Sequence, residues 1–181
     1  MKGFYNMEKS NKVMVMVIII LLSLVSCAPH PQNIYPVNPE ANFAFLFKYG
    51  PCFTDILDTI NNTFAKTISV ESSQTIPFIL PNDQMTIIYQ KMVEIRIFDY
   101  PDEFSIPVPT NGMIGKVTPA ERYVITVRNG DITKTISWID EIIQPTMVKA
   151  NNLRDLFQLI INIIQKQPDY NKLPDRNFGC A

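Results

Sequence analysis

Tyr123–Trp138 reads YVITVRNGDITKTISW, two strand-like runs joined by Asn129-Gly130. Both turn residues tolerate positive φ, so the pair suits a two-residue type I′ hairpin. That loop predicts Arg128 opposite Asp131, Val127 opposite Ile132 and Tyr123 opposite Ile136. Tyr123, Ile125, Val127, Ile132, Ile136 and Trp138 then share one face, and Thr126, Thr133, Thr135 and Ser137 share the other. Alternation of this kind marks a sheet packed on one side and wet on the other. Lys134 is the misfit on the apolar face and is expected to snorkel at an edge.

Upstream, FAFLFKY (Phe43–Tyr49) is an apolar, aromatic run stopped by Gly50-Pro51, as in a buried strand. Asp55–Val70 alternates in part, with Ile56, Asp58 and Ile60, then Phe64, Lys66 and Ile68. It predicts one or two strands broken near Asn61-Asn62. TIPFIL (Thr75–Leu80) is a short strand that Pro77 consigns to a sheet edge. A helix follows, capped by Asn82 or Asp83, with Met85, Ile88, Tyr89, Met92 and Val93 on one face. Pro101 ends it by about Phe98. Residues 101–119 carry four prolines and two glycines and read as a long exposed loop. The last helix is expected from about Asn152 to Gln167, with Leu153, Leu156, Phe157, Ile160, Ile161 and Ile164 in its stripe. Asn152 and Asp155 form a weak capping box, and Pro168 stops it. The predicted class is α+β: an antiparallel sheet of about 4–5 strands with two amphipathic helices packed on one face. Direct connections argue against parallel βαβ units.

The 181 residues, 46% hydrophobic, suffice for one domain with a core after a leader is removed. A net charge of −1 gives no basic field for nucleic acid. With 6 glycines, and neither GxGxxG nor GxxxxGK[ST], no phosphate-cradling loop or nucleotide cofactor is expected.

The N-terminus has its own signature. Lys2, Lys9 and Lys12 precede an unbroken apolar run from Val13 to Leu22, shorter than the roughly 20 residues of a lipid-spanning helix. Leu24-Val25-Ser26-Cys27 resembles the lipobox of bacterial lipoprotein signal peptides. The resemblance implies diacylglyceryl transfer to the Cys27 thiol and cleavage between Ser26 and Cys27. It also implies a lipid anchor on the extracytoplasmic face of the cell membrane. The alternative is an uncleaved anchor with an incidental cysteine. Segments follow: signal peptide 1–26, tether 27–42 rich in proline, and one domain 43–181. At about 3 Å per residue the tether would reach some 40 Å. The one histidine, His30, falls in it. The domain therefore has no Ser-His-Asp triad, Cys-His pair or His-ligated zinc, and no metal site is expected.

The arrangement as a whole resembles small lipoproteins of low-GC Gram-positive bacteria such as bacilli. It shares with them a helix running from Ile88-Tyr89-Gln90-Lys91-Met92 into Tyr100-Pro101-Asp102-Glu103-Phe104, a strand ending in Trp138, and a closing Leu173-Pro174. The likeness implies an envelope address and no particular activity.

Three further groups are candidates for chemistry. Cys52 and Cys180, left once Cys27 is acylated, can form a disulfide outside the membrane or stay as two thiols. Asp99, Asp102 and Glu103 gather carboxylates, which serve turn chemistry and solubility or the acid–base work of a hydrolase. Their spacing fits no calcium loop. Trp138 is expected in the core or at the sheet rim. Asn61-Asn62-Thr63 matches a glycosylation sequon that a bacterial host would not use. Two functions are weighed. One is a surface-tethered binding or interaction module whose partner is a protein or a wall polymer. The other is a carboxylate-dependent cell-wall hydrolase, with a purely structural envelope protein as a third option.

Overall fold

The computed structural model describes residues 36, 38–52, 54–108, 115–143 and 146–176. Ser26, Cys27, His30 and Cys180 lie outside the described residues. Contacts group residues 1–34 apart from a unit spanning Tyr35–Ala181, and the second of these holds every described element.

Seven strands form one sheet: β1 (Ala44–Gly50), β2 (Asp55–Asp58), β3 (Thr63–Ser69), β4 (Ser72–Pro77), β5 (Glu103–Phe104), β6 (Gly115–Asn129) and β7 (Ile132–Ile143). The spatial order is β4-β3-β2-β1-β6-β7-β5. Two helices, α1 (Asn82–Glu94) and α2 (Val148–Gln165), complete it. The class is α+β, as expected, but the sheet is larger than 4–5 strands and is mixed. β5 runs parallel to β7, with Phe104 opposite Trp138, while every other pairing is antiparallel.

The segment expected to be a loop supplies one further strand, β5, and the first residues of β6. Glu103 and Phe104 pair with β7, Phe104 and Ile106 are buried, and β6 begins at Gly115. Pro119 lies inside β6, where the β6–β7 register shifts between Lys116 and Glu121. A bulge is one of the few places in a sheet that tolerates proline, because the missing N–H breaks no ladder bond there.

The hairpin forms with its register displaced by two residues: Asn129 faces Ile132, Val127 faces Lys134 and Tyr123 faces Trp138. The turn is Gly130-Asp131, with Gly130 at φ 61°. Asn129 stays in the strand because its side chain is used elsewhere: its Oδ1 accepts the Glu40 N–H at 3.0 Å. An even shift leaves each side chain on its expected face. Ile125, Val127, Ile136 and Trp138 are buried, and Thr126 and Thr135 pair their hydroxyls on the opposite face at 2.9 Å. Lys134 ends at the sheet edge on the Asp102 carboxylate.

In β2 Asp55 and Leu57 are buried, and Ile56 and Asp58 are half-buried. The edge position of Pro77 holds, in a strand that starts earlier, at Ser72. The helices have other starts than expected. Pro81 precedes α1 and Met147 precedes α2, neither with a side-chain cap, so Asn82 and Asn152 lie within the helices. Their apolar stripes join one core with the inward side chains of the sheet. Phe157 of α2 is the keystone, its ring 5.1 Å from that of Phe47 and 4.6 Å from that of Tyr123. Arg154 fastens the same helix to β7 through a forked pair with Asp140, at 2.7 and 2.6 Å, and donates to the Ile142 carbonyl.

The end of the proline-rich segment is bound to the domain. Tyr89 donates its hydroxyl to the Pro36 carbonyl at 2.8 Å, and Asn42 exchanges hydrogen bonds with Gly130. Among the described residues no helix is long and apolar enough to cross a membrane.

Candidate functional site

One row on the packed face of the sheet is rich in polar side chains. Register sets Tyr49 opposite Asp55 on one side and Tyr123 on the other, and Tyr123 opposite Trp138. On β3 the pairing of Ile56 with Ala65 carries Lys66 to the place beside Asp55. Lysine, aspartate and two tyrosines thus stand side by side where core residues would be expected. A cavity of about 530 Å³ opens over them. The sheet is its floor, with Glu121 two residues from Tyr123 on β6. Gln158, Ile161 and Gln165 of α2 form one wall, and Tyr170 and Arg176 of the closing segment form another.

Asp55 is 2% exposed. Burial pushes its carboxyl up. The Thr67 N–H, donating at 3.0 Å, and the Arg176 guanidinium pull the other way. Arg176 also donates through Nε to the Thr67 carbonyl at 3.1 Å. It therefore satisfies Asp55 and pins the closing segment to β3. A buried carboxylate without such a partner is strongly disfavoured.

Tyr49 differs. Its phenolic oxygen is fully buried and has no hydrogen-bond partner among the described residues. Burial raises its ionisation far above the usual phenol value, so the group stays a protonated donor. An unsatisfied buried hydroxyl costs roughly 1–3 kcal/mol. Native structures seldom tolerate that except where something else supplies the partner. The ring is fixed by stacking on Phe47 at 5.1 Å. Burial likewise raises Tyr123.

Two charges at the cavity make no direct ion pair among the described residues. Lys66 is 7% exposed and lies over the Tyr170 ring, 5.0 Å from its centroid, with the Asp55 carboxylate as its cross-strand neighbour and electrostatic partner. Glu121 is half-buried opposite Asp140, whose charge Arg154 already holds. Burial pushes the Glu121 carboxyl up, the Arg176 charge draws it down, and Asp140 raises it. The Asp55–Arg176 pair, the Lys66 ammonium and the half-buried Glu121 carboxyl therefore line a single cavity. Such a set can bind a small polar molecule and fix its orientation.

The acids singled out from the sequence do not meet. Asp99 pairs with Arg96 at 2.7 Å, Asp102 takes Lys134, and Glu103 is exposed at a different cavity of about 590 Å³ beside β5 and β7. Glu141 at that cavity pairs with Lys116. Tyr100 and Phe104 are packing residues. The Tyr100 hydroxyl donates to the Lys149 carbonyl, and Phe104 meets Trp138 edge-on. Trp138 is core, 2% exposed. Cys52 is disulfide-bonded, and its partner lies outside the described residues. Tyr49, Asp55, Lys66, Glu121 and Arg176 escaped sequence inspection. The available signal was Lys66 two residues after Phe64, a charge at apolar parity in a strand.

No protein-family model matches the chain, and no curated protein does.

Proposed function

We propose that the chain is a lipid-anchored envelope protein whose extracytoplasmic domain binds a small polar ligand in the Tyr49 cavity. The observation that carries binding is the cavity of about 530 Å³ over the sheet, lined by the charged side chains of Asp55, Lys66, Glu121 and Arg176 together with Gln158 and Gln165. Anchoring rests on the lipobox at Leu24–Cys27: signal peptide 1–26 is removed and Cys27 carries the lipid. The 27–42 tether is then shorter in practice than its composition suggests, because Pro36 and Asn42 are hydrogen-bonded to the domain. The chain from Cys27 to Pro36 spans at most about 30 Å, which limits how far the attachment point at Pro36 stands from the membrane surface. The hydrolase alternative has weaker support, since Asp99, Asp102 and Glu103 converge on no common cavity.

Two measurements test the two halves. Cys27→Ala abolishes lipid mass and membrane partitioning; a variant that stays membrane-bound at mature size removes the anchoring half. For binding, saturation-transfer NMR of the full chain in detergent is run with amino acids, short peptides and monosaccharides. Gln158→Trp, at an exposed position on the cavity wall, serves as the blocked control. If no probe gives a signal that Gln158→Trp abolishes, the binding half fails.

A further inference from the structure

We infer that the domain stands end-on on the membrane that holds its anchor, with Ile60, Ile79 and Ile132 in contact with the lipid surface. This rests on the anchoring proposed above and gives it an interaction surface. The three side chains are 46%, 72% and 39% exposed. Register puts them at one end of the sheet. Pro77, Thr63, Asp58, Leu46, Thr126 and Thr135 form a row across the strands. Ile79 and Ile60 come two residues after Pro77 and Asp58, and Ile132 comes three before Thr135. They therefore share a level to within about 3 Å, along an edge of about 24 Å from β4 to β7. One exposed isoleucine is ordinary, but three at one end make an apolar edge. Each is held on fixed backbone. Asp58 accepts the Ile60 and Asn61 N–H groups at 2.9 and 3.0 Å. Ile79 lies between Phe78 and Leu80, both buried, and the Phe78 N–H donates to the Asn62 carbonyl at 2.7 Å. Ile132 follows the Gly130 turn that Asn42 ties down. Little freedom is left to lose on contact.

The chain that enters at this end decides what covers it. The Tyr89 hydroxyl that holds the Pro36 carbonyl also accepts from the Asn129 side chain at 3.4 Å, and Asn129 is the last residue of β6. From Pro36 back to Cys27 the chain reaches at most about 30 Å. The exposed apolar side chains Val117, Ile139 and Ile143 lie towards the other end of the β6–β7 arm. Ile132 and Ile143 are the two ends of the same strand segment, about 36 Å apart along β7. A domain standing inverted on that far cluster would carry Pro36 farther from the lipid than its chain can reach. Upright, the same chain is long enough and the three isoleucines come first to the surface. Apolar side chains gain by entering the boundary between headgroups and acyl chains. The anchor keeps the domain at high local concentration, so a contact too weak to hold a free domain suffices. Glu40, Asp58 and Asp131 outnumber Arg128 around this end. The contact is therefore apolar and not drawn by anionic headgroups.

The test uses the mature, lipid-modified protein in nanodiscs of zwitterionic phospholipid that carry a paramagnetic headgroup chelate. The isoleucine methyl groups are observed by NMR. Ile60, Ile79 and Ile132 are expected to relax several-fold faster than Ile139 and Ile143, and added salt is expected to leave that contrast in place. The double variant Ile60→Ser/Ile79→Ser, at two exposed positions, separates contact from mere nearness imposed by the tether. Contact predicts that Ile132 loses most of its extra relaxation in the variant. If Ile132 keeps it, if Ile139 and Ile143 relax as fast as the other three, or if salt removes the contrast, the surface is overturned. If no isoleucine responds while the protein co-elutes with the discs, the surface is overturned, that end is left for a protein partner, and the anchoring stands. Protein that elutes apart from the discs overturns both.

Discussion

Arg176→Met tests the idea that the closing segment exists to neutralise Asp55. The substitution keeps most of the side-chain volume and removes the charge. Asp55 keeps its bond from the Thr67 N–H and loses its cation. Breaking a fully buried pair costs about 3–5 kcal/mol. The Arg176 side chain is 30% exposed, so water screens part of this and about 2–3 kcal/mol is the better expectation. An upper bound follows from protonation. An orphaned carboxylate can take up a proton, and at pH 7 that limits its penalty to about 4 kcal/mol, given an unfolded value near 3.9. The sign is then fixed. The folded-state value of Asp55 in the variant lies above the unfolded one. Its neutral form is stable in the fold at low pH, and the penalty grows as pH rises from the unfolded value towards the folded one, above which it levels off. The stability gap to the parent protein should therefore narrow from pH 7 to pH 4. The assay is urea unfolding of the full chain, followed by fluorescence of Trp138, the single tryptophan. Asp55→Asn and the double variant complete the cycle, with a coupling of about 1.5 kcal/mol or more expected. A coupling below about 0.5 kcal/mol, or a gap that does not change with pH, would refute the reasoning.

Three further outcomes are expected. Arg154→Lys loses the fork on Asp140 and the bond to the Ile142 carbonyl, and should destabilise the fold by about 1–2 kcal/mol in the same assay. Glu121→Gln should raise stability slightly at pH 7 and leave it unchanged near pH 4. Burial raises the Glu121 value, so its cost is present when ionised and gone when protonated; a variant less stable at pH 7 contradicts this. Cys52 should be found joined to Cys180 in a non-reduced peptide digest, because the proposed acylation of Cys27 would leave no other cysteine and Arg176 brings the closing segment to β3. Reduction should then cost about 4–5 kcal/mol, and recovery of Cys180 as a free thiol counts against it.

Local signals in this chain were legible where neighbours in sequence carry the message. The hairpin faces followed from alternation, and survived a two-residue change in register because an even shift keeps parity. The stripes of α1 and α2 followed from helical spacing, although their first residues did not: tertiary packing, not a capping side chain, sets where each begins. The break near Asn61-Asn62 and the edge status of Pro77 followed from the chemistry of those residues. By contrast β5 is two residues long, too short for any periodicity, and its parallel partner was chosen by the position of Trp138. Pro119 concealed the start of β6, since a bulge that accommodates proline is defined by the opposite strand.

The sequence by itself therefore determined the α+β class, the hairpin and the two helices, and the lipobox residues on which anchoring is proposed. All of these depend on side chains within about a dozen positions of one another. Only the tertiary structure decided that Tyr49, Asp55, Lys66 and Tyr123 share a row, that Arg176 closes on Asp55, and that Glu121 looks into the same cavity. The physical reason is that a strand records which of its side chains point the same way, but not which strand stands beside it. A charge at an inward position looks like an error until the partner that compensates it, or the absence of one, is in view.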